Sequence, residues 1–299
     1  MKFIKKAAAL LLAFLMLLVP ATVLADETNV TDTTTAESFV CYGDDLNSEQ
    51  FEKVMNLLGA DLSKDQLLKV TIDDEKALLG SIISADKIGS RSLSSARVTL
   101  TGEGTGISVT TQNINWVTSS MYSSALATAG VDNARIVVAA PVEVSGTAAL
   151  AGILKAYESA VSTQLSDEAK AVAGSEMVLT GDLADMIGSD DAVELLAMVK
   201  NAIAEYHLDD YDSLRPYVEQ GAKQLGVQLT EDQIDQITKL GVQIAKLDLD
   251  PEKLAGQLNG LVDNIQKIQK VQQSAGSIFT NIKTAVQGFF NWIGSWFKR

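Results

Sequence analysis

One histidine, one cysteine, several runs of acids and two turns rich in glycine or serine are the residues through which this 299-residue chain could do chemistry. His207, in Tyr206-His207-Leu208-Asp209-Asp210, could act as a general base for a serine. No Gly-x-Ser-x-Gly elbow accompanies it, and a lone histidine after a helical stretch reads first as a cap or a surface residue. With Cys41 as the single thiol, ordinary zinc sites lack their nitrogen and sulfur ligands unless carboxylates complete them. Asp44-Asp45, Asp73-Asp74-Glu75, Asp190-Asp191 and Asp209-Asp210-Tyr211-Asp212 could hold calcium weakly. None has the spacing of a calcium loop, so solvated acids are the simpler reading. No residue is assigned a catalytic role, and no metal or cofactor is implied.

Gly102, Gly104 and Gly106 alternate but open no helix, so they form a turn and not a dinucleotide fingerprint. Ser145-Gly146-Thr147 follows a strand and opens a helix, where free backbone N–H groups could receive an anion. These three residues are the candidate anion site, with plain helix capping as the alternative.

Positioning such groups requires a scaffold, and the densest strand signal lies between Ser94 and Tyr157. Arg97–Thr101 and Ile107–Thr111 alternate with period two and are rich in Val, Ile and Thr, which suits half-buried strands. The glycines between them predict a hairpin. Thr118 can cap a helix ending near Gly130. Ala134–Ala140 is apolar throughout after Arg135, as expected of a strand covered on both faces, and Pro141 is expected to end it. A helix over 148–157 follows. Beyond it the pattern is helical, with core-facing stripes over 190–206, 214–225 and 234–247. The fold class is therefore α+β, a small sheet of the hairpin plus one further strand, covered by helices and followed by a mostly helical C-terminal half.

A local device recurs at three places: Leu46-Asn47-Ser48-Glu49-Gln50-Phe51, Leu62-Ser63-Lys64-Asp65-Gln66-Leu67 and Leu229-Thr230-Glu231-Asp232-Gln233-Ile234. Each offers a cap, a Gln that can reach back to it, and a flanking apolar pair. Leu249-Asp250-Pro251 is a variant with proline at the first helical position. Together they predict helix starts near 47, 63, 230 and 250.

The N-terminal residues point outside the cell. Lys2, Lys5 and Lys6 precede an apolar run from Ala7 to Val19, and Val23-Leu24-Ala25 supplies small residues for a cut after Ala25, the pattern of a secretory signal peptide. Residues 26–37, polar and rich in Thr and Asp, read as a flexible spacer. The whole chain carries a net charge of -14, and loss of residues 1–25 leaves 21 basic against 38 acidic side chains, or -17. Such a chain repels nucleic acid and anionic membrane at long range, so no nucleic-acid partner is expected.

From Leu254 two heptad rows run in phase to Trp296, with twelve of thirteen positions apolar. Continuous helix over that length would reach about 65 Å. Ser274-Ala275-Gly276-Ser277 could hinge it into a helix pair. Its end broadens into an aromatic face of Phe279, Ile282, Val286, Phe289, Phe290, Trp292, Ile293, Trp296 and Phe297. The side-chain charges there, Lys283, Lys298 and Arg299, are all positive. A helix of this kind suits a membrane interface or a partner's groove; folding back on its own domain is the alternative.

Five stretches carry a family resemblance: YGDDL at 42–46, GISVTTQNINWVT at 106–118, ALATAG at 125–130, RIVVAAPVEVSGTAALAGILKAYE at 135–158, and the exported start. The chain resembles the secreted Gram-positive bacterial family catalogued as domain of unknown function 1002. The resemblance spans roughly residues 38–295 and implies export and an intact domain, with no reaction or site residue to carry over. The expected organisation is a signal peptide (1–25), a spacer (26–37), an α+β domain with a helical second half (38–248) and a heptad-patterned C-terminal segment (249–299). The expected function is that of an exported, acidic cell-envelope protein, a non-enzymatic binding or membrane-peripheral module. The alternative is an extracytoplasmic hydrolase using carboxylates.

Overall fold

Strand alternation sorts the first buried residues into two layers. In β1 (Ser38–Gly43), Phe39 and Cys41 point to one face of the sheet and Val40 to the other. The computed structural model describes residues 38–80 and 90–273, with side chains to 266. These described residues carry five strands and nine helices, an α+β fold.

β1 pairs in parallel with β2 (Gln66–Val70) and antiparallel with β3 (Ser95–Leu100). β5 (Ala134–Val144) lies antiparallel to β3 and parallel to β4 (Ile107–Ile114), giving the order β2-β1-β3-β5-β4. α1 (Ser48–Leu58) covers one face, where Val54, Met55 and Leu58 meet Val40 and Ala139. α3 (Ser119–Thr128) and α4 (Thr147–Val161) cover the other, over Phe39, Cys41, Ala96, Val98, Ile136 and Val138. On α4, a Cβ at Gly152 would stand 2.7 Å from Cys41 Sγ and 2.9 Å from Val70, so glycine is what lets this helix lie so close to β1.

The expected hairpin does not form. β3 and β4 both exist, but β5 inserts between them. β5 is apolar on both faces and fully buried at Ile136, Val138, Ala139 and Ala140, so it gains most from a central place. β4 alternates between half-buried and exposed and takes the edge. Pro141 also does not end β5, which continues to Val144. The β3 pairing stops at Ala139, and on the β4 side the register breaks between Gln112 and Ile114, so no ladder bond from residue 141 is needed.

Three of the four expected helix starts are present. Asn47 opens α1 and Thr230 opens α8 (Glu231–Ala245), each with a reciprocal box to Gln50 or Gln233. Asp250 precedes α9 (Pro251–Gln273) and accepts from the Glu252 and Lys253 amides. The start near 63 is absent. Ser63 there donates its hydroxyl to Asp61 at 2.6 Å, and Asp65 turns inward to Arg97 at 2.8 and 3.0 Å. The following residues are drawn into β2 by pairing with β1.

The remaining helices form the second half. α5 (Asp167–Ile187), α6 (Ser189–Tyr206), α7 (Tyr211–Leu225) and α8 enclose a separate core of Leu183, Leu195, Leu196, Val199, Leu214, Val218, Ile237, Leu240 and Ile244. α9 returns to the first half: Leu254 and Leu258 pack with Ala127 and Ala197, and Ile265 joins the sheet-side core. The final short helix, α2 (Ile72–Leu79), packs against α4 and α5.

Candidate functional site

The start of α4 joins three elements. Gly146, the residue before it, has φ 95°, and a Cβ there would stand 2.6 Å from both Ile114 and the Tyr122 hydroxyl. The Tyr122 hydroxyl donates to the Gly146 carbonyl at 2.5 Å, tying α3 to the turn. Ser145 Oγ and Thr147 Oγ1 are 3.1 Å apart. Thr147 is buried, and its hydroxyl donates to the carboxylate of Glu75 on α2. The structure thus brings Ser145, Gly146 and Thr147 together and places an acid of the chain's own at this helix start. Glu75 is 1% exposed, and burial pushes its pKa from 4.5 to about 7 against the opposing Thr147 hydrogen bond and Lys76 charge.

One turn further along, α2, α4 and α5 bound a cleft of about 330 Å³. Its apolar lining is Ala77, Leu78, Ala151, Leu154 and Ala171, of which Leu154 is buried, and charged groups complete it. Lys155 Nζ lies 3.5 Å from Asp74 Oδ2 and donates to the Lys69 carbonyl at 3.0 Å. Lys170 Nζ lies 3.0 Å from both Glu158 and Asp167. Glu158 is further fixed by the Leu165 amide at 3.0 Å. Desolvation pushes the Asp74 pKa up, yet the Thr71 backbone and hydroxyl bonds with Lys155 outweigh it and hold the group below its ordinary value.

A third cluster has no opening to solvent. Lys200 on α6 is 0% exposed and donates to Glu176 of α5 at 2.7 Å and to Ser124 Oγ of α3 at 2.8 Å. Ser124 and Thr128 each donate to the Glu176 carboxylate at 2.5 Å. Burial pulls the Lys200 pKa down, opposed by the charge and hydrogen bond of Glu176. A serine hydroxyl this close to a lysine amine is the contact of a Ser–Lys nucleophile pair. Here the Ser124 proton goes to Glu176 and both residues are sealed, so the cluster's effect is to fix three helices.

The family's sequence profile, described as a protein of unknown function (DUF1002), matches residues 42–261. The chain belongs to the DUF1002 family. It is 34% identical over 285 residues to the uncharacterized protein YpuA of Bacillus subtilis (strain 168), which covers 93% of this chain and 96% of that protein. No solved structure matches.

In this DUF1002 chain Cys41 is accounted for by packing and His207 by its place at a helix end. Cys41 is buried, donates to the Ala96 carbonyl at 3.3 Å, and burial pushes its thiol up to about 12. His207 is exposed and closes α6 in a left-handed conformation, φ 52°. Asp210 caps α7 through the Ser213 amide at 3.0 Å. Among the described residues no group of three or more His, Cys, Asp or Glu is placed to hold a metal ion, and no helix is long and apolar enough to cross a membrane. The aromatic set Phe279, Ile282, Val286, Phe289, Phe290, Trp292, Ile293, Trp296 and Phe297 lies outside the described residues, as do residues 1–37, which hold the expected signal peptide and spacer.

Sequence reasoning did not find the cleft or the Lys200 cluster. Lys200 carried a usable signal, because it falls on the apolar i, i+3, i+4 stripe of Val193, Leu196 and Ile203. The cleft carried none, since its walls come from segments that only the fold brings together.

Proposed function

We propose that this DUF1002 protein is an exported, membrane-peripheral binding module, with residues 279–297 as its contact with the lipid surface. The observation that carries the reading is a change in what the heptad rows contain. Leu254, Leu258 and Ile265, the first positions of those rows, are buried against α3, α6 and the sheet-side core. Further along the same rows Phe279, Phe289 and Trp296 join the aliphatic Ile282, Val286 and Ile293, with Phe290 and Trp292 beside them. Aromatic rings with an apolar body, alongside positive charges only, have the chemistry of the interfacial zone of a bilayer. The net negative charge of the rest favours lipid contact confined to this end.

The reading is tested by co-sedimentation of residues 26–299, and of 26–273, with neutral and anionic vesicles. Pelleting of the longer chain alone supports it. Pelleting of neither chain with either vesicle, while both stay folded, overturns it and leaves a protein partner as the occupant of the aromatic face.

A further inference from the structure

We propose that the cleft between α2, α4 and α5 binds a small zwitterion, an amino acid or a dipeptide, with Lys155 taking its carboxylate and Asp74 its ammonium group. The volume, about 330 Å³, sits at the lower end of the range for small-molecule sites, about 300–1,000 Å³. The charges in the lining select the ligand's chemistry. A polyanion would meet Asp74, Glu158 and Asp167 at short range, and a purely apolar molecule would strip water from two ion pairs without replacing it. A molecule with one charge of each sign on an apolar body satisfies both walls and the alanine and leucine lining.

The two ion pairs differ in a way that assigns their roles. Lys170 and Glu158 are tightly joined, with side chains 20% and 15% exposed, and they make a rigid wall. Lys155 and Asp74 are looser, at 3.5 Å with side chains 44% and 35% exposed, so this pair can open to admit a ligand between its charges. Asp74 is held ready by the start of α2, where Oδ2 accepts from the Thr71 amide at 2.8 Å and the Thr71 hydroxyl at 2.9 Å. Those bonds fall on Oδ2, so the ligand's ammonium is assigned to Oδ1. The site does not depend on the membrane reading, because no residue beyond 171 lines it.

The test is a titration of ¹⁵N-labelled residues 26–299 by NMR with alanine and dialanine, and with acetate and methylammonium as the two half-ligands. Saturable shifts centred on the amides of Ala151, Leu154 and Ala171 are expected, with dialanine at least tenfold tighter than either half-ligand. Lys155→Met should weaken dialanine at least tenfold with an unchanged far-UV circular dichroism spectrum. Ala151→Leu, which fills the cleft, should abolish binding. Absence of saturation by either zwitterion at millimolar concentrations overturns the proposal. So does binding of acetate as tight as that of dialanine, or dialanine binding that Lys155→Met leaves unchanged.

Discussion

Lys200 Nζ and Glu176 Oε1 lie 2.7 Å apart with side chains 0% and 1% exposed, so one ion pair sits wholly inside the helical layer behind the sheet. An ion pair stripped of water gains little net stability, yet losing one partner leaves a charge that nothing solvates. Ser124 and Thr128 add the remaining hydrogen bonds from α3, so the cluster sets how three helices meet.

Lys200→Met should therefore destabilise the protein by about 3–5 kcal/mol, because Glu176 is left buried and unpaired. Glu176→Gln with Lys200→Met should cost clearly less than Lys200→Met alone. Denaturant unfolding of the two variants checks this. A double variant weaker than the single one would contradict the view that the unpaired charge is the main cost.

Two buried carboxyls predict how stability follows pH. Glu75 is raised to about 7 by burial, and Glu194 to about 7 by burial together with Asp191 and Asp190. Between the ordinary value of 4.5 and about 7 the native state holds more protons than the unfolded chain. Stability is then fully present below that window, falls as pH rises through it, and levels off above about 7. Each group contributes on the order of 3 kcal/mol to that fall. Glu75→Gln and Glu194→Gln should each flatten the profile between pH 5 and 8. Guanidinium melts across that range decide it, and an unchanged slope in both variants would contradict the assignment.

Near-identical sequence devices should give unequal mutational costs. Thr230→Ala removes the acceptor for the Gln233 amide and one side of a reciprocal box, and should cost about 1 kcal/mol. Ser63→Ala, in the same local grammar, removes only an exposed bond to Asp61 and should fall within about 0.5 kcal/mol of wild type. Equal losses at the two positions would show that residues 62–66 have helical character.

That contrast also marks what could be read from the sequence. Caps at Asn47, Thr118, Thr230 and Asp250 are local, each made by residues within three positions, and all four begin helices. The device at Leu62 fails because Arg97 and β1 lie far along the chain and outbid it. The hairpin fails for the same reason: β3 and β4 are strands by their own pattern, but their partner is set by β5, which begins twenty residues after β4 ends. The start of α4 was legible as a helix opening, whereas Glu75, 72 residues from Thr147, gave no sign of accepting the Thr147 hydroxyl. The cleft unites α2 with α4 and α5 through packing that no single stretch encodes.

The central claim is that Trp292 and Trp296 enter lipid, and quenching of tryptophan fluorescence by brominated lipid tests it most directly. Residues 26–299 should be quenched on adding brominated vesicles. A Trp292→Phe/Trp296→Phe variant, which keeps Trp116 as its remaining tryptophan, should not be. Equal quenching of the two proteins, or none in the parent chain, would contradict the account.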